Sequence, residues 1–298
     1  MKERFDGAFI ALGNFDGLHL GHKAVITAEK TEYERKLALM FTKHPQAEIT
    51  GLCPGILITP DKEKEILESW GVEPEYIEFS SVSELAPEQF VDEILVGRFN
   101  ARSLACGFNY RFGKDASGDA ELLKRLCAER EIKLTVVDEV SYGGECISST
   151  RIRTALTEGD MKKANNMLGR HFSYNFVVVH GDERGRVLGS PTINQFFTPD
   201  FQVPQYGVYA SYTVVDGVKY PSVPNVGIRP TIGNSERRSE THILGFSGDL
   251  YGPNTEVFLV EKIRDEKQFS SLDRLKEQIM SDRIAATEIL KGVKENGF

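Results

Sequence analysis

Two histidines three apart, His19 and His22, with Gly21 between them, are the residues of this chain best suited to phosphate chemistry. Imidazole N–H groups donate to phosphate oxygens, and a glycine lets a phosphate come close to the backbone. The pair closes the stretch Gly13–His22, GNFDGLHLGH, in which Gly13 and Gly17 provide a turn. Zinc is the weaker reading, because a zinc site wants a third and fourth ligand and the chain has no CxxC or HExxH. A P-loop is excluded. The nearest approach, Gly107–Asp115, has the wrong glycine spacing and Asp115 where Ser or Thr is required.

A second constellation lies far downstream. Gly181–Asn194 reads GDERGRVLGSPTIN, with Gly181, Gly185 and Gly189 around Arg184 and Arg186. A glycine turn with arginines suits the phosphates of a nucleotide. Thr192 and Asn194 are two apart, so in an extended chain they face one side, and such hard oxygen donors suit Mg²⁺ shared with phosphates. A plain hairpin turn with an Asn cap explains the same residues. Glu240 stands before an apolar strand, either as a base aimed into a pocket or as ordinary surface.

Three further stretches carry candidate groups. Ile147–Arg153, ISSTRIR, places Ser148, Ser149 and Thr150 at a helix N-cap with Arg151 and Arg153 in the first turns. Arginine there opposes the helix dipole by ~0.3–1 kcal/mol, which makes sense beside a bound anion. Gly107–Asp119 follows a strand and combines Phe108, Tyr110 and Phe112 with Asn109, Arg111 and Lys114. It reads as a clamp over a flat ring and phosphates, or as a surface loop. Lys43 and His44 fall at the end of the second strand, on the same sheet edge as His19.

The elements that position these groups change character along the chain. Phe9–Leu12, Leu37–Phe41, Tyr76–Phe79, Ser103–Gly107 and Leu134–Val137 read as strands. Helices are predicted over Lys23–Lys36, from Thr59 to Trp70, and over Pro87–Arg98, Ala120–Arg130 and Met161–Leu168. This alternation predicts a doubly wound parallel sheet, a Rossmann-like α/β/α domain over 1–165, with ligands at the carboxyl ends of its strands. From Phe172 the strands come close together, over Phe176–His180, Gly207–Val214, Tyr220–Asn225, Thr241–Phe246 and Thr255–Lys262. That spacing predicts a small β-barrel over 166–298, closed by a helix over Ser271–Leu290 with Leu272, Leu275, Ile279 and Ile284 buried.

Composition bounds the function. A chain of 298 residues with 40% hydrophobic residues is long enough for two ordinary cores. A formal net charge of −8 argues against a dedicated nucleic-acid binder but not against small phosphorylated ligands. Cys53, Cys106, Cys127 and Cys146 are scattered, which fits a reduced compartment. No apolar run approaches a membrane span and no signal-peptide core is present, so a soluble, cytoplasmic protein is expected. Nothing in the sequence sets an oligomeric state.

Gly13–His22, Gly107–Asp119 and Ile147–Arg153 together resemble the N-terminal module of the bacterial bifunctional riboflavin kinase/FMN adenylyltransferase (FAD synthetase) family, whose H-x-G-H signature is here His19-Leu20-Gly21-His22. Gly181–Asn194 and Asn225–Gly252 resemble that family's kinase module, with PT-x-N at Pro191–Asn194 and the catalytic glutamate at Glu240. The resemblance spans nearly the whole chain. It implies phosphorylation of riboflavin by ATP and Mg²⁺ to give FMN and ADP, then adenylylation of FMN to FAD with release of pyrophosphate. It implies nucleotide or flavin contacts at Gly13, Asn14, Phe15, Asp16, Gly17, Asn109, Arg111, Ser148, Ser149, Thr150 and Arg153 in the first module. In the second, it implies them at Gly181, Arg184, Gly185, Arg186, Gly189, Thr192, Asn194, Asn225 and Arg229. Its partners would be small molecules, not nucleic acid or membrane.

Ser190, Gly245 and Thr287 depart from the family pattern, which puts flavin affinity in the kinase module in question. Other readings stay open. One is a nucleotidyltransferase for another phosphorylated acceptor. Others are a member with a single activity and a non-catalytic flavin-binding descendant.

Overall fold

The computed structural model describes residues 5–179, 192–231, 234–248, 250, 252 and 254–293. The chain divides into two compact units: Met1–Pro54 with Pro60–Ser149, and Gly55–Thr59 with Thr150–Phe298.

In the first unit, β1 (Phe5–Leu12), α1 (Leu20–Ile26) and β2 (Tyr33–Phe41) open the fold. Then come α2 (Pro45–Thr50), α3 (Pro60–Ser69) and β3 (Glu73–Ile77), and next α4 (Pro87–Gln89) and β4 (Ala101–Gly107). The strand pair β5 (Arg111–Phe112) and β6 (Gly118–Asp119), then α5 (Ala120–Glu129) and β7 (Lys133–Val137), lead to the hairpin β8 (Ser141–Tyr142) and β9 (Glu145–Cys146). The parallel sheet has the order β3-β2-β1-β4-β7. The chain order reverses between β1 and β4, where Leu12 pairs with Cys106. That reversal is the point where open α/β sheets bind ligands, and Gly13 and Gly107 leave the sheet side by side there.

Two elements differ from the sequence reading. The predicted helix over Lys23–Lys36 stops at Ile26, and the chain is extended again from Tyr33. Buried Glu29 accepts from the Thr31 N–H (2.8 Å), the Ser103 hydroxyl (2.7 Å) and Lys133 Nζ (2.9 Å), which pulls the chain onto the sheet. The predicted helix over Pro87–Arg98 is α-helical only through Gln89; Phe90–Arg98 is a π-helix. Its wider turn sends Phe90, Val91 and Leu95 together into the core.

The second unit takes over at α6 (Ser149–Glu158), followed by α7 (Met161–Leu168), which Asp160 caps and Gly169 ends in the left-handed region. Six strands follow: β10 (Phe172–Val177), β11 (Thr192–Phe196), β12 (Gly207–Val215), β13 (Val218–Thr231), β14 (Asn234–Ile243) and β15 (Asn254–Arg264). They form one antiparallel sheet in the order β10-β15-β12-β13-β14-β11. Val179 bridges to Asn194 (N to O, 2.9 Å) and Gln195 Nε2 donates to Phe176 O at 2.7 Å, so the two edges meet in a barrel. Gly55–Thr59 joins this unit because Ile56 hydrogen-bonds to Asp200 and Gln202.

α8 (Leu272–Lys291) packs outside the barrel, its Ala286 and Leu290 against Val208, Ala210, Val223 and Val260. The predicted buried stripe is corrected here: Leu272 is 67% exposed and Ile284 60%. Asp282 fixes the rotation by taking two bonds from Arg264, Nε at 2.9 Å and Nη2 at 2.7 Å, so 282, 286 and 290 face inward.

Candidate functional site

The first site grows from the turn after β1. Phe15, Gly17 and Leu18 have φ of 43°, 80° and 44°. Phe15 and Leu18 pay for that left-handed backbone by full burial, at 1% and 0% exposure. The turn delivers His19 to the N-cap of α1, where its Nδ1 accepts from the His22 N–H at 3.3 Å. A neutral His19 then carries its proton on Nε2, the donor form that a phosphate needs. The His19 and His22 rings stack with centroids 3.5 Å apart, and Phe15 meets the edge of His22 at 5.5 Å. A Cβ on Gly21 would lie 3.1 Å from the His19 ring, so the stack needs glycine or something yielding there.

Neighbouring loops join this turn. The Asn14 amide meets His44 Nε2 at 2.8 Å, and His44 Nδ1 caps α2 by accepting from the Gln46 N–H at 3.2 Å. Ser149 Oγ donates to the Asp16 carbonyl at 2.9 Å, which ties ISSTRIR to GNFDG. Burial raises the Glu63 carboxyl; Tyr76 O–H, donating at 2.7 Å, opposes this, and the charge of Asp16 adds to the rise. Glu63 and Tyr76 carry no sequence signal beyond an ordinary helix and strand.

From β4, Asn109 and Arg111 are exposed, with Arg111 3.7 Å from Asp119. Asn109 Oδ1 folds back toward Gly107. The aromatic clamp is smaller than the sequence suggests. Phe112 is core, and Tyr110 stacks on it at 5.7 Å, which leaves Phe108, 46% exposed, as the ring in solvent. Ser148 is half-buried and Thr150 exposed. Arg153 belongs to the second unit, where its Nε donates to the Gly55 carbonyl at 2.8 Å.

The second site is made by strand register. Asn194 on β11 faces Glu240 on β14, and Glu240 faces Asn225 on β13. The next row is Thr192, His242 and Val223. Directly opposed residues share a face, and positions two apart do too, so Thr192, Asn194, Glu240 and Asn225 lie together on the barrel's outer face. The intervening Gln195, Ser239 and Thr241 point inward and are fully buried. Asn194 itself is only 6% exposed. Thr192 and Asn194 therefore present a hydroxyl and an amide oxygen side by side, a donor set that fits Mg²⁺.

Among the described residues no group of three or more His, Cys, Asp or Glu could hold a metal by itself. Arg238, two residues before Glu240 on the same face, forms an ion pair with it. Period-two alternation from Glu240 was the signal available for that residue. Arg229 stands opposite Glu236. Gly181, Arg184, Gly185, Arg186, Gly189 and Ser190 lie outside the described residues. Gly245 has φ 75°, a turn geometry that suits glycine, and Thr287 bonds its own helix through Arg283 O at 2.8 Å.

Residues 1–151 match the FAD synthetase family and residues 168–290 the riboflavin kinase family. The bifunctional riboflavin kinase/FMN adenylyltransferase of Escherichia coli K12 is 34% identical over 95% of this chain and 93% of its own. That of Bacillus subtilis is 33% identical over 99% and 96%. This chain belongs to the bifunctional riboflavin kinase/FMN adenylyltransferase family. The fold extends to a crystal structure of a macrolide-efflux protein from Streptococcus pneumoniae, 28% identical, with a TM-score of 0.86 over 97% of this chain and 95% of that one. Among the described residues here, no helix is long and apolar enough to cross a membrane. The histidine turn falls within the FAD synthetase match, and the row Asn194–Glu240–Asn225 within the riboflavin kinase match.

Proposed function

We propose that this chain makes FMN from riboflavin and then FAD from FMN, each step using ATP. Residues 1–165 carry the adenylyltransferase and 166–298 the kinase, in a cytoplasmic setting. The observation that carries the reading is the register row Asn194–Glu240–Asn225, which gathers the proposed kinase residues from three strands, together with the histidine stack at the parallel sheet of the other unit.

In the kinase, Glu240 orients the ribityl 5′-hydroxyl of riboflavin and takes up its proton as the oxygen attacks the γ-phosphorus of ATP, with ADP leaving. Mg²⁺ held by Thr192 and Asn194 would neutralise phosphate charge. Asn225 and Arg229, with Gly181, Arg184, Gly185, Arg186 and Gly189, supply the remaining substrate contacts. In the adenylyltransferase, the FMN phosphate attacks the α-phosphorus of ATP and pyrophosphate leaves. The nucleophile is already an anion, so the site needs positive partners more than a base. His19 and His22 fill that role, with Gly13–Gly17, Asn109, Arg111, Ser148 and Ser149 around the nucleotide and flavin.

The test is incubation with riboflavin, ATP and Mg²⁺ followed by chromatography of the flavins. The expected result is FMN that converts to FAD, with ADP and pyrophosphate as co-products. Riboflavin recovered unchanged would overturn the reading.

A further inference from the structure

We propose that Arg238 is a positioning residue of the kinase site, holding the carboxylate of Glu240 in its working orientation. The proposal rests on the kinase reading of Glu240 and adds a residue to it.

The pair is not an ordinary surface ion pair. The Arg238 side chain is 18% exposed and that of Glu240 34%, so both are partly withdrawn from water and poorly screened. Both point from β14 to the same outer face, two residues apart. Arg238 stands in the row Phe196–Arg238–Gly227, next to the row Asn194–Glu240–Asn225. Glycine at 227 leaves that row open beside the guanidinium, and the space is taken by Glu266 from beyond β15. A Cβ built on Gly227 would overlap Glu266 Oε1. Partial burial raises the Glu266 carboxyl, Arg264 opposes this, and the charge of Glu240 adds to the rise, as expected for carboxylates in one neighbourhood. Arg238 thus pairs with Glu240 on its own strand, while the charge of Glu240 is felt by Glu266, whose carboxylate lies at Gly227 across the row.

Two like charges repel, so without the guanidinium Glu240 would swing away from Asn194 and Asn225. Phosphoryl transfer depends on aim more than on covalent chemistry, and a shift of about 1 Å in a reacting group can cost ~10²-fold in rate. A planar guanidinium fixes a carboxylate's orientation; an ammonium supplies the charge alone.

The experiment is steady-state kinetics of FMN formation by the full chain. Arg238→Gln is expected to lower kcat by about 30–100-fold while KM for riboflavin and for ATP stays within about threefold. Arg238→Lys is expected to recover most of that loss, and Glu266→Gln to change kcat by less than about fivefold. Thermal unfolding of Arg238→Gln should stay cooperative and near wild type. An unchanged kcat in Arg238→Gln, a change confined to KM, or Arg238→Lys as impaired as Arg238→Gln would each overturn the proposal. Glu240→Gln separates this from the function itself. If that variant loses FMN formation but Arg238→Gln does not, only the positioning role falls. If Glu240→Gln keeps FMN formation, the kinase reading falls with it.

Discussion

The two candidate sites rest on different kinds of scaffold. In the first, the candidate groups sit in one contiguous turn of ten residues, Gly13–His22, beyond a parallel sheet. Local backbone geometry does the positioning: positive φ at Phe15, Gly17 and Leu18, and a cap at His19. In the second, Asn194, Asn225 and Glu240 come from three strands, and ladder register positions them. A turn site can be altered by one glycine. A register site is held by the whole ladder, because a one-residue slip would send Glu240 inside the barrel.

That contrast orders the expected effects. Glu240→Gln keeps the size and the strand but removes the charge, and should reduce FMN synthesis by at least about 10³-fold while FMN supplied directly is still adenylylated. Chromatography of both reactions checks this, and equal loss in both would erase the division between the units. His22→Ala removes one preorganised donor and should cost FAD formation about 10²–10³-fold with FMN formation retained. Gly21→Ala keeps both histidines but crowds the His19 ring at 3.1 Å, so an intermediate loss of about tenfold is expected, again only in FAD formation. If Gly21→Ala proves neutral, the stacked pair is looser than the turn geometry says.

The smallest effect concerns stability of the first unit. Burial pushes the Glu29 carboxyl up, but bonds from Lys133, Thr31 and Ser103 outweigh it and bring the pKa from 4.5 to about 2. A carboxyl depressed on folding stabilises the fold above its unfolded pKa. Here that contribution, on the order of 3 kcal/mol, is lost as pH falls from about 4.5 to 2. Glu29→Gln should lower the unfolding midpoint at pH 7 and flatten its dependence over that acid window. A parallel pH curve for the variant would assign the depression elsewhere.

The same contrast explains what the sequence reveals. The turn site is legible because its residues are adjacent; the Ser149–Asp16 bond that ties in a stretch more than a hundred residues on shows only in the fold. The barrel and its last helix are legible from strand spacing and length. The rotation of that helix is not, because a buried Arg264–Asp282 pair overrides the apolar pattern of Leu272 and Ile284. Nor is the end of α1, which a buried carboxylate at Glu29 sets through partners about 74 and 104 positions away. Residues 194, 225 and 240 show no local period linking them. Only the family resemblance connects them before the register is seen. Arg238 escapes even that, since its pairing with Glu240 shows only in the folded strand.

If one chain holds two self-sufficient sites, two chains damaged at different sites should complement each other in a mixture. Glu240→Gln alone and His22→Ala alone should each fail to make FAD from riboflavin, ATP and Mg²⁺. Combined in one tube, they should make it, as FMN released by the second is adenylylated by the first. FAD from either variant alone, or none from the mixture, would mean that the two sites are not separate and self-sufficient.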